Sequence, residues 1–450
     1  MDPTLTDNAS HPSLWMDTLG RDAVGIREPL AGDIEADVAI IGGGLTGLWS
    51  AYYLLQHRPD LRVVVLEKRF AGFGASGRNG GWCSALFPKS ASALERRHGF
   101  AAAVAMRRAM VDTVDEVGRV VTAEGIDCDF LKGGTLLFAR TPAQLSSARA
   151  DVVESTRFGV DELRMLADPD RVLDPSCARV HPAKLVRGVA EVVERLSAVI
   201  HEATTVTSWQ PGVVTTDRGA VRAGSIIVAT EGYGAAIAQT HRSVLPLYSL
   251  MIATEPLPDA LWEELGIEHG QTFSDYRHLL IYGQRTADNR IAFGGRGARY
   301  HWGSSIRSDY DRSTRVFHHL REALVDLFPQ LADVAVTHSW GGPLGVPRDW
   351  HAAVRYDEHT GIGWAGGYVG DGLSTTNLAG RTLAELITGE RTELSELAWV
   401  GHRSRDWERE PLRFLGANAG LLAMSAADIE ERVTKRPSLV ARAMGPLVGQ

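Results

Sequence analysis

Three glycines and one carboxylate are the first residues in this chain whose types and spacing suit a specific chemistry. Gly42, Gly44 and Gly47 fall as G-x-G-x-x-G, and Glu67 follows 20 residues after the last of them. The chemistry is the holding of a dinucleotide. Gly42 permits a tight turn out of a strand. Gly44 lets backbone amides, those of Leu45 and Thr46 among them, approach a pyrophosphate, and Gly47 lets the next helix lie close on the sheet. Glu67, followed by Lys68, sits where a carboxylate accepts hydrogen bonds from a ribose 2′-hydroxyl.

These residues work only if particular elements position them. An apolar run at 38–41 reads as a buried parallel strand, 46–57 as a helix aiming its positive end at phosphate, and 63–66 as a second buried strand ending in Glu67. Beyond this unit, residues 1–35 read as an N-terminal arm outside the chemistry. The pattern is helical over 94–122 and 141–158, with a strand at 134–139 between them. Pro182 opens an amphipathic helix carrying Leu185, Val189, Val192, Val193 and Leu196. Short strands with turns follow at 203–209, 213–216 and 225–229, then at 247–254, 278–282 and 290–293. A strand from 361 runs into a glycine-rich turn, with a helix over 375–389, Ser374 as N-cap and Gly389 as its terminator. Residues 391–450 form an amphipathic, tryptophan-bearing helical extension that packs on the body, mediates oligomerisation or touches a membrane surface, packing being the simplest reading.

Length and composition set bounds. With 450 residues, 44% hydrophobic and 23% charged, the chain buries a large core in two or three domains. Its formal net charge of −8 argues against nucleic acid as a partner. There is no signal-peptide pattern and no apolar run of transmembrane length, and Cys83, Cys128 and Cys177 show no C-x-x-C spacing. Cytoplasmic location is the expectation. No metal-ligating or nucleophile motif is evident: H-E-x-x-H, G-x-S-x-G and the P-loop are all missing.

Two further segments complete a pattern: 72–81, Gly-Phe-Gly-Ala-Ser-Gly-Arg-Asn-Gly-Gly, and 366–374, Gly-Gly-Tyr-Val-Gly-Asp-Gly-Leu-Ser. With the first unit they make the chain resemble the D-amino-acid oxidase superfamily of FAD-dependent amine and amino-acid oxidoreductases, most closely its gamma-glutamylputrescine oxidase branch. One motif leaves NAD enzymes open; the three together favour FAD. The resemblance implies an α/β (α+β) fold with a discontinuous Rossmann-like FAD-binding domain (36–95, 172–243 and 337–390). A substrate domain (96–171 and 244–336) would rest on a mostly antiparallel sheet. It implies that Gly74, Ala75, Ser76, Arg78, Asn79, Gly80 and Gly81 approach the pyrophosphate and ring, with Ser76 bonding phosphate and Arg78 offsetting negative charge. Val206 would serve adenine, and Ala229 and Thr230 would close over the nucleotide. The amides of Gly367, Gly370, Asp371, Gly372, Leu373 and Ser374 at a helix N-terminus would stabilise charge on the reduced flavin, and the Asp371 side chain would cap or turn away. With no cysteine after Cys177 and no histidine in the second motif, non-covalent FAD is expected, Cys83 being the residual alternative.

The implied reaction removes a hydride from the carbon beside a neutral amine, passes it to flavin N5, and yields an imine that water hydrolyses. Reduced flavin would return electrons to O2 or another acceptor. Substrate-side candidates are Arg78, Tyr276, Tyr282, Arg296, Tyr300 and Trp340, with His351 as a proton acceptor. An arginine would clamp a substrate carboxylate. The substrate class spans primary amines, polyamine conjugates, N-methyl amino acids and cyclic imino acids. A demethylating, sarcosine-type oxidase is one alternative. An NAD(P)H-dependent flavin monooxygenase is another, though its distal G-D-A-x-H pattern is absent. A non-catalytic FAD scaffold is a third. The oligomeric state is open.

Overall fold

The computed structural model describes residues 13–19, 25–160, 162–168 and 170–448, with side chains to 444. Parts of the N-terminal arm therefore lie outside the described residues. Two eight-stranded sheets organise the chain. In the first, Ile34–Ile41 lies between Ala220–Val228 and Val63–Leu66, all parallel, with Ile41 opposite both Val228 and Leu66. Val199–His201 and Ile362–Gly366 extend the parallel array, and Ala353–Asp357 adds an antiparallel edge. All four residues of Val63–Leu66 are buried, as a strand covered on both faces requires.

The helix Leu45–His57 starts one residue earlier than the sequence suggests, with Gly44 as its N-cap. It is buried continuously from Leu45 to Leu55 because Gly372–Thr388, Pro182–Arg195 and Phe100–Ala123 pack in the same core. The single helix expected over 94–122 is two, Ala91–His98 and Phe100–Ala123, broken at Gly99, whose φ of 87° no helical residue adopts. The second of these packs its Met106, Met110, Val114, Val117 and Val121 face into the nucleotide half, although its range reads as substrate domain.

The second sheet is antiparallel except for one parallel pair, Thr272–Asp275 with Thr135–Phe138. Its edge strand Val336–Val346 pairs with Leu245–Thr254 along its whole length, so a segment assigned by range mostly to the FAD domain belongs structurally to this sheet. The N-terminal arm is anchored beneath the nucleotide motifs. Ser13 caps Leu14–Asp17, Leu14 and Trp15 are buried, and Trp15 Nε1 donates to the carbonyl of Asn79 at 2.8 Å. At the other terminus Trp399 and Trp407 are buried, and Trp407 Nε1 donates to Val346 O at 2.7 Å. No helix among the described residues is long and apolar enough to cross a membrane.

Candidate active site

A cavity of about 590 Å³ runs between the two sheets. At one end are Glu67, Lys68, Thr205, Val206 and Ile237; in the middle are Gly42, Gly44, Leu45, Thr46, Ala75, Ser76, Ala229 and Thr230. The far end is formed by Tyr282, Arg296, Leu344 and Gly370 to Leu373. Gly74, Arg78, Asn79 and Gly80 also line it.

Local structure explains why glycine is required at the crossing of strand and helix. A Cβ on Gly42 would stand 2.6 Å from Ala229 O, and one on Gly47 only 2.2 Å from Gly42 O. Gly47 therefore does not line the cavity; it lets the helix sit down on the strand. Glu67 Oε2 accepts from Gly43 N–H and Oε1 from Arg69 N–H, both at 2.8 Å, which pins the carboxylate at the end of its strand. Ser76 Oγ accepts from Leu45 N–H at 2.8 Å, tying the second motif to the helix start. Asn79 holds its own turn, donating to Ala75 O and Ser76 O and accepting from Gly81 N–H.

The distal helix starts earlier than its sequence suggests. It spans Gly372–Thr388, its N-cap is Asp371 with no side-chain cap bond, and Ser374, expected as N-cap, donates instead to Ser84 O. Gly389 ends the helix in the left-handed conformation, as the sequence suggests. Tyr368 OH and Thr46 Oγ1 hydrogen-bond at 3.0 Å, linking this turn to the first helix. Both helices thus begin on the same cavity.

Several residues lie elsewhere than expected. Arg78 is not left free to offset cofactor charge: it donates to Asp311 at 2.8 Å and to Tyr233 OH at 2.6 Å. Trp340 is buried off the cavity, edge-on to Trp15, with Nε1 donating to Arg78 O. Tyr300 is fully buried, its hydroxyl donating to Glu410 and accepting from Ser304 N–H. Tyr276 packs beside Leu137, Leu145 and Met165. His351 stacks on His402 at 4.0 Å, and burial lowers its pKa to about 4. Gly81 packs against Gln284, and Gly367 against Pro347 with its N–H on Glu231, so both support the site from behind.

Glu231 is one of two residues, with Asp311, that sequence reasoning missed. Glu231 adopts a positive φ of 43° and lines the cavity, with no cation bonded to it among the described residues. Its carboxylate accepts from the N–H groups of Gly345 (2.5 Å), Gly367 (3.0 Å) and Tyr368 (3.1 Å), so one side chain fastens the distal turn to the second sheet. The signal was an acid set in the run Ala229-Thr-Glu-Gly-Tyr-Gly234, where no solvated face is available.

At the far end, Arg296 donates from Nη2 to Val369 O at 2.6 Å and lies over Trp350 at 5.3 Å. Burial lowers its pKa, while the nearby Asp371 opposes that shift. Asp371 is pushed up to about 6 by burial, against the pull of Arg296. Tyr282 OH and Ser249 Oγ hydrogen-bond at 2.8 Å, and burial raises the phenol pKa, so the hydroxyl stays neutral.

The donor set suits a dinucleotide. The N-terminus of Leu45–His57 and a glycine-lined floor offer backbone N–H groups to a diphosphate, that of Gly372–Thr388 opens on the far end, and the cavity lining reaches from Glu67 to Arg296. A parallel sheet with this cradle at its strand ends defines a dinucleotide-dependent oxidoreductase class. The family model "FAD dependent oxidoreductase" (DAO) matches residues 37–386, and the chain belongs to that family. It is 32% identical over 387 residues to gamma-glutamylputrescine oxidoreductase of Escherichia coli (strain K12), covering 82% of this chain and 87% of that protein. It is 30% identical over 394 residues to the probable oxidoreductase OrdL of Rhizobium meliloti (strain 1021), covering 82% and 86%. Among solved structures, L-proline dehydrogenase from P. horikoshii superposes with a TM-score of 0.66 at 20% identity, over 81% of this chain and 96% of that one. Glycine oxidase from Geobacillus kaustophilus gives 0.65 at 19%, over 82% and 99%. The chain is an FAD-dependent oxidoreductase.

FAD held without a covalent link fits the placement of Cys83. Trp82 and Ser84 line the cavity, while Cys83 between them on the strand points to the other face, buried, with its thiol pKa raised by burial. Acid precipitation of the purified protein is expected to leave all the yellow colour in the supernatant; flavin pelleting with the protein would contradict this.

Proposed function

We propose that this chain oxidises the C–N bond of an amine or amino acid, giving an imine that water hydrolyses to a carbonyl compound and ammonia or a smaller amine, in the cytoplasm. The observation that carries this reading is the cavity whose lining joins the glycine cradle to the polar group Tyr282, Arg296 and Asp371. FAD, when bound, supplies the two-electron acceptor for a hydride from the carbon beside nitrogen. The protein's part is orientation and desolvation. Met251, Leu280, Ile306 and Leu344 exclude water from the polar end. Arg296, held by Val369 O, clamps a substrate carboxylate and by its charge disfavours a protonated amine nearby. Tyr282, fixed by Ser249, presents its neutral hydroxyl to the substrate as a hydrogen-bonding group. No nucleophile takes part, and O2 accepts the electrons as hydrogen peroxide.

The test is a panel of amines, amino acids, N-methyl amino acids and polyamine conjugates, with oxygen uptake, peroxide and carbonyl product measured together. Equimolar peroxide and carbonyl are expected for one class. Formaldehyde as the carbonyl product identifies the demethylating variant, and rapid NADPH oxidation without any amine overturns the proposal in favour of a monooxygenase.

A pH effect follows from the Arg296 and Asp371 pair. Below about pH 6 Asp371 is neutral and the Arg296 charge is unbalanced; above it the carboxylate balances that charge. A simple carboxylate that competes with substrate is therefore expected to bind roughly 3- to 10-fold more weakly as pH rises through this range. In Asp371→Asn the dependence disappears. An unchanged pH profile in that variant would show that Asp371 does not govern anion binding.

A further inference from the structure

The C-terminal helix Leu412–Thr434 lies beyond the family match, which ends at 386, and it is clamped to the body along one side. Arg413 and Ala427 are buried, Asn418 accepts from Tyr300 N–H, and Asp428 accepts from the N–H groups of His278 and Leu279. The opposite side carries Leu412, Leu415, Ala419, Leu422, Ala426, Ile429 and Val433, every one of them exposed. Their spacing is 3, 4, 3, 4, 3, 4, an unbroken heptad seam. The five large residues of the seam are 60% to 76% exposed.

We propose that this seam is the interface with a second copy of the chain, the two helices packing antiparallel. A 3.5-residue repeat is the period that keeps one face against another helix. The sizes along it, large, large, small, large, small, large, large, read the same in both directions, so the strip is self-complementary under a two-fold axis across the helix. In an antiparallel pair centred on Leu422, Leu412 meets Val433 and Leu415 meets Ile429 of the second copy. Leu422 then meets its own copy and Ala419 meets Ala426, so large layers meet large ones and the two small layers let the helices approach closely.

Charge agrees with this arrangement. The only charged residues flanking the seam are Glu430 and Arg432, and the reversal places them near Gly416 and Pro411 of the second copy, so like charges do not meet. A membrane-surface helix would carry a basic rim, which this one lacks. The area is adequate: five large side chains at about 100 Å² each supply more than half of the roughly 800 Å² per partner in a standard interface. Leu439, 69% exposed at the start of the next helix, is tied by its N–H to Glu430 beside the seam.

The experiment is sedimentation velocity on the full-length holoenzyme at micromolar concentration, beside Leu422→Glu. Wild type is expected to be a dimer, and the variant to associate about 100-fold more weakly while keeping its flavin. Oxidative cross-linking of two cysteine variants reads the orientation without a disruptive charge, since the native cysteines are all buried. Leu422→Cys, near the two-fold axis, is expected to form a disulfide-linked dimer, and Leu412→Cys is not. The proposal is overturned if wild type is monomeric, if the Leu422→Glu dimer is as tight as wild type, if Leu412→Cys cross-links as readily as Leu422→Cys, or if monomers instead sediment with anionic vesicles.

Discussion

Gly47→Ala is expected to purify without flavin. The added methyl would stand 2.2 Å from Gly42 O and 3.0 Å from Ile40 Cγ2. Neither neighbour can retreat, because Ile34–Ile41 is hydrogen-bonded on both sides in the middle of the parallel sheet. The helix Leu45–His57 must lift instead, and its first-turn amides leave the position that serves a diphosphate. Overpacking of this kind costs about 1–3 kcal/mol of stability. Displacing the N-terminus is expected to weaken FAD binding by about 100-fold or more. The ratio of visible to protein absorbance, with a melting curve, checks both effects. Full flavin content in Gly47→Ala would refute the close-packing role of this glycine.

Glu231→Ala is expected to be the most damaging side-chain truncation in the cavity wall. It leaves the N–H groups of Gly345, Gly367 and Tyr368 unpaired, at about 1–3 kcal/mol each. It also frees the distal turn that carries Gly370 to Leu373. Flavin affinity and melting temperature should fall together, with substrate kcat reduced in whatever holoenzyme remains. Glu231→Gln keeps one acceptor oxygen and should lose about a third as much. Burial pushes the Glu231 carboxyl up to about 7 from its ordinary value of 4.5. A folded-state pKa raised above the unfolded one means that its contribution is complete below about pH 4.5 and lost as pH rises through about 7. That difference is worth about 3 kcal/mol. Wild type should therefore lose stability across this window relative to Glu231→Gln, and parallel stability curves for the two proteins would contradict the assignment.

What was legible in the sequence was whatever backbone geometry forces on residue choice. The glycine turn, the buried strands at 38–41 and 63–66 and the Pro182 helix all declare themselves, because a tight turn, a two-sided strand and a helix start each admit few residue types. Gly99 shows the limit of periodicity: the apolar pattern continues across it, and only the positive φ reveals the break. The substrate side was less legible because aromatic type does not say which neighbour will cover a ring. Trp340 lies on the same strand as the cavity-lining Gly342 and Leu344, yet Trp15 from the arm helix packs on it. Tyr300 is sequestered by Glu410 from the C-terminal segment. Both misplacements arise from terminal segments whose contacts no local pattern encodes. Glu231 and the Asp311 partner of Arg78 were missed for a related reason, since each acts on groups more than 100 positions away.

The central claim is that the FAD cradle and the polar end at Tyr282 and Arg296 form one redox site open to an amine or amino acid. Anaerobic mixing of the purified yellow holoenzyme with the substrate panel tests it most directly. At least one amine or amino acid is expected to bleach the visible flavin absorbance fully, with one carbonyl product formed per flavin, and Arg296→Leu to slow or weaken the bleaching by a carboxylate-bearing substrate. A flavin that no amine or amino acid reduces, but that NADPH bleaches rapidly, would contradict it.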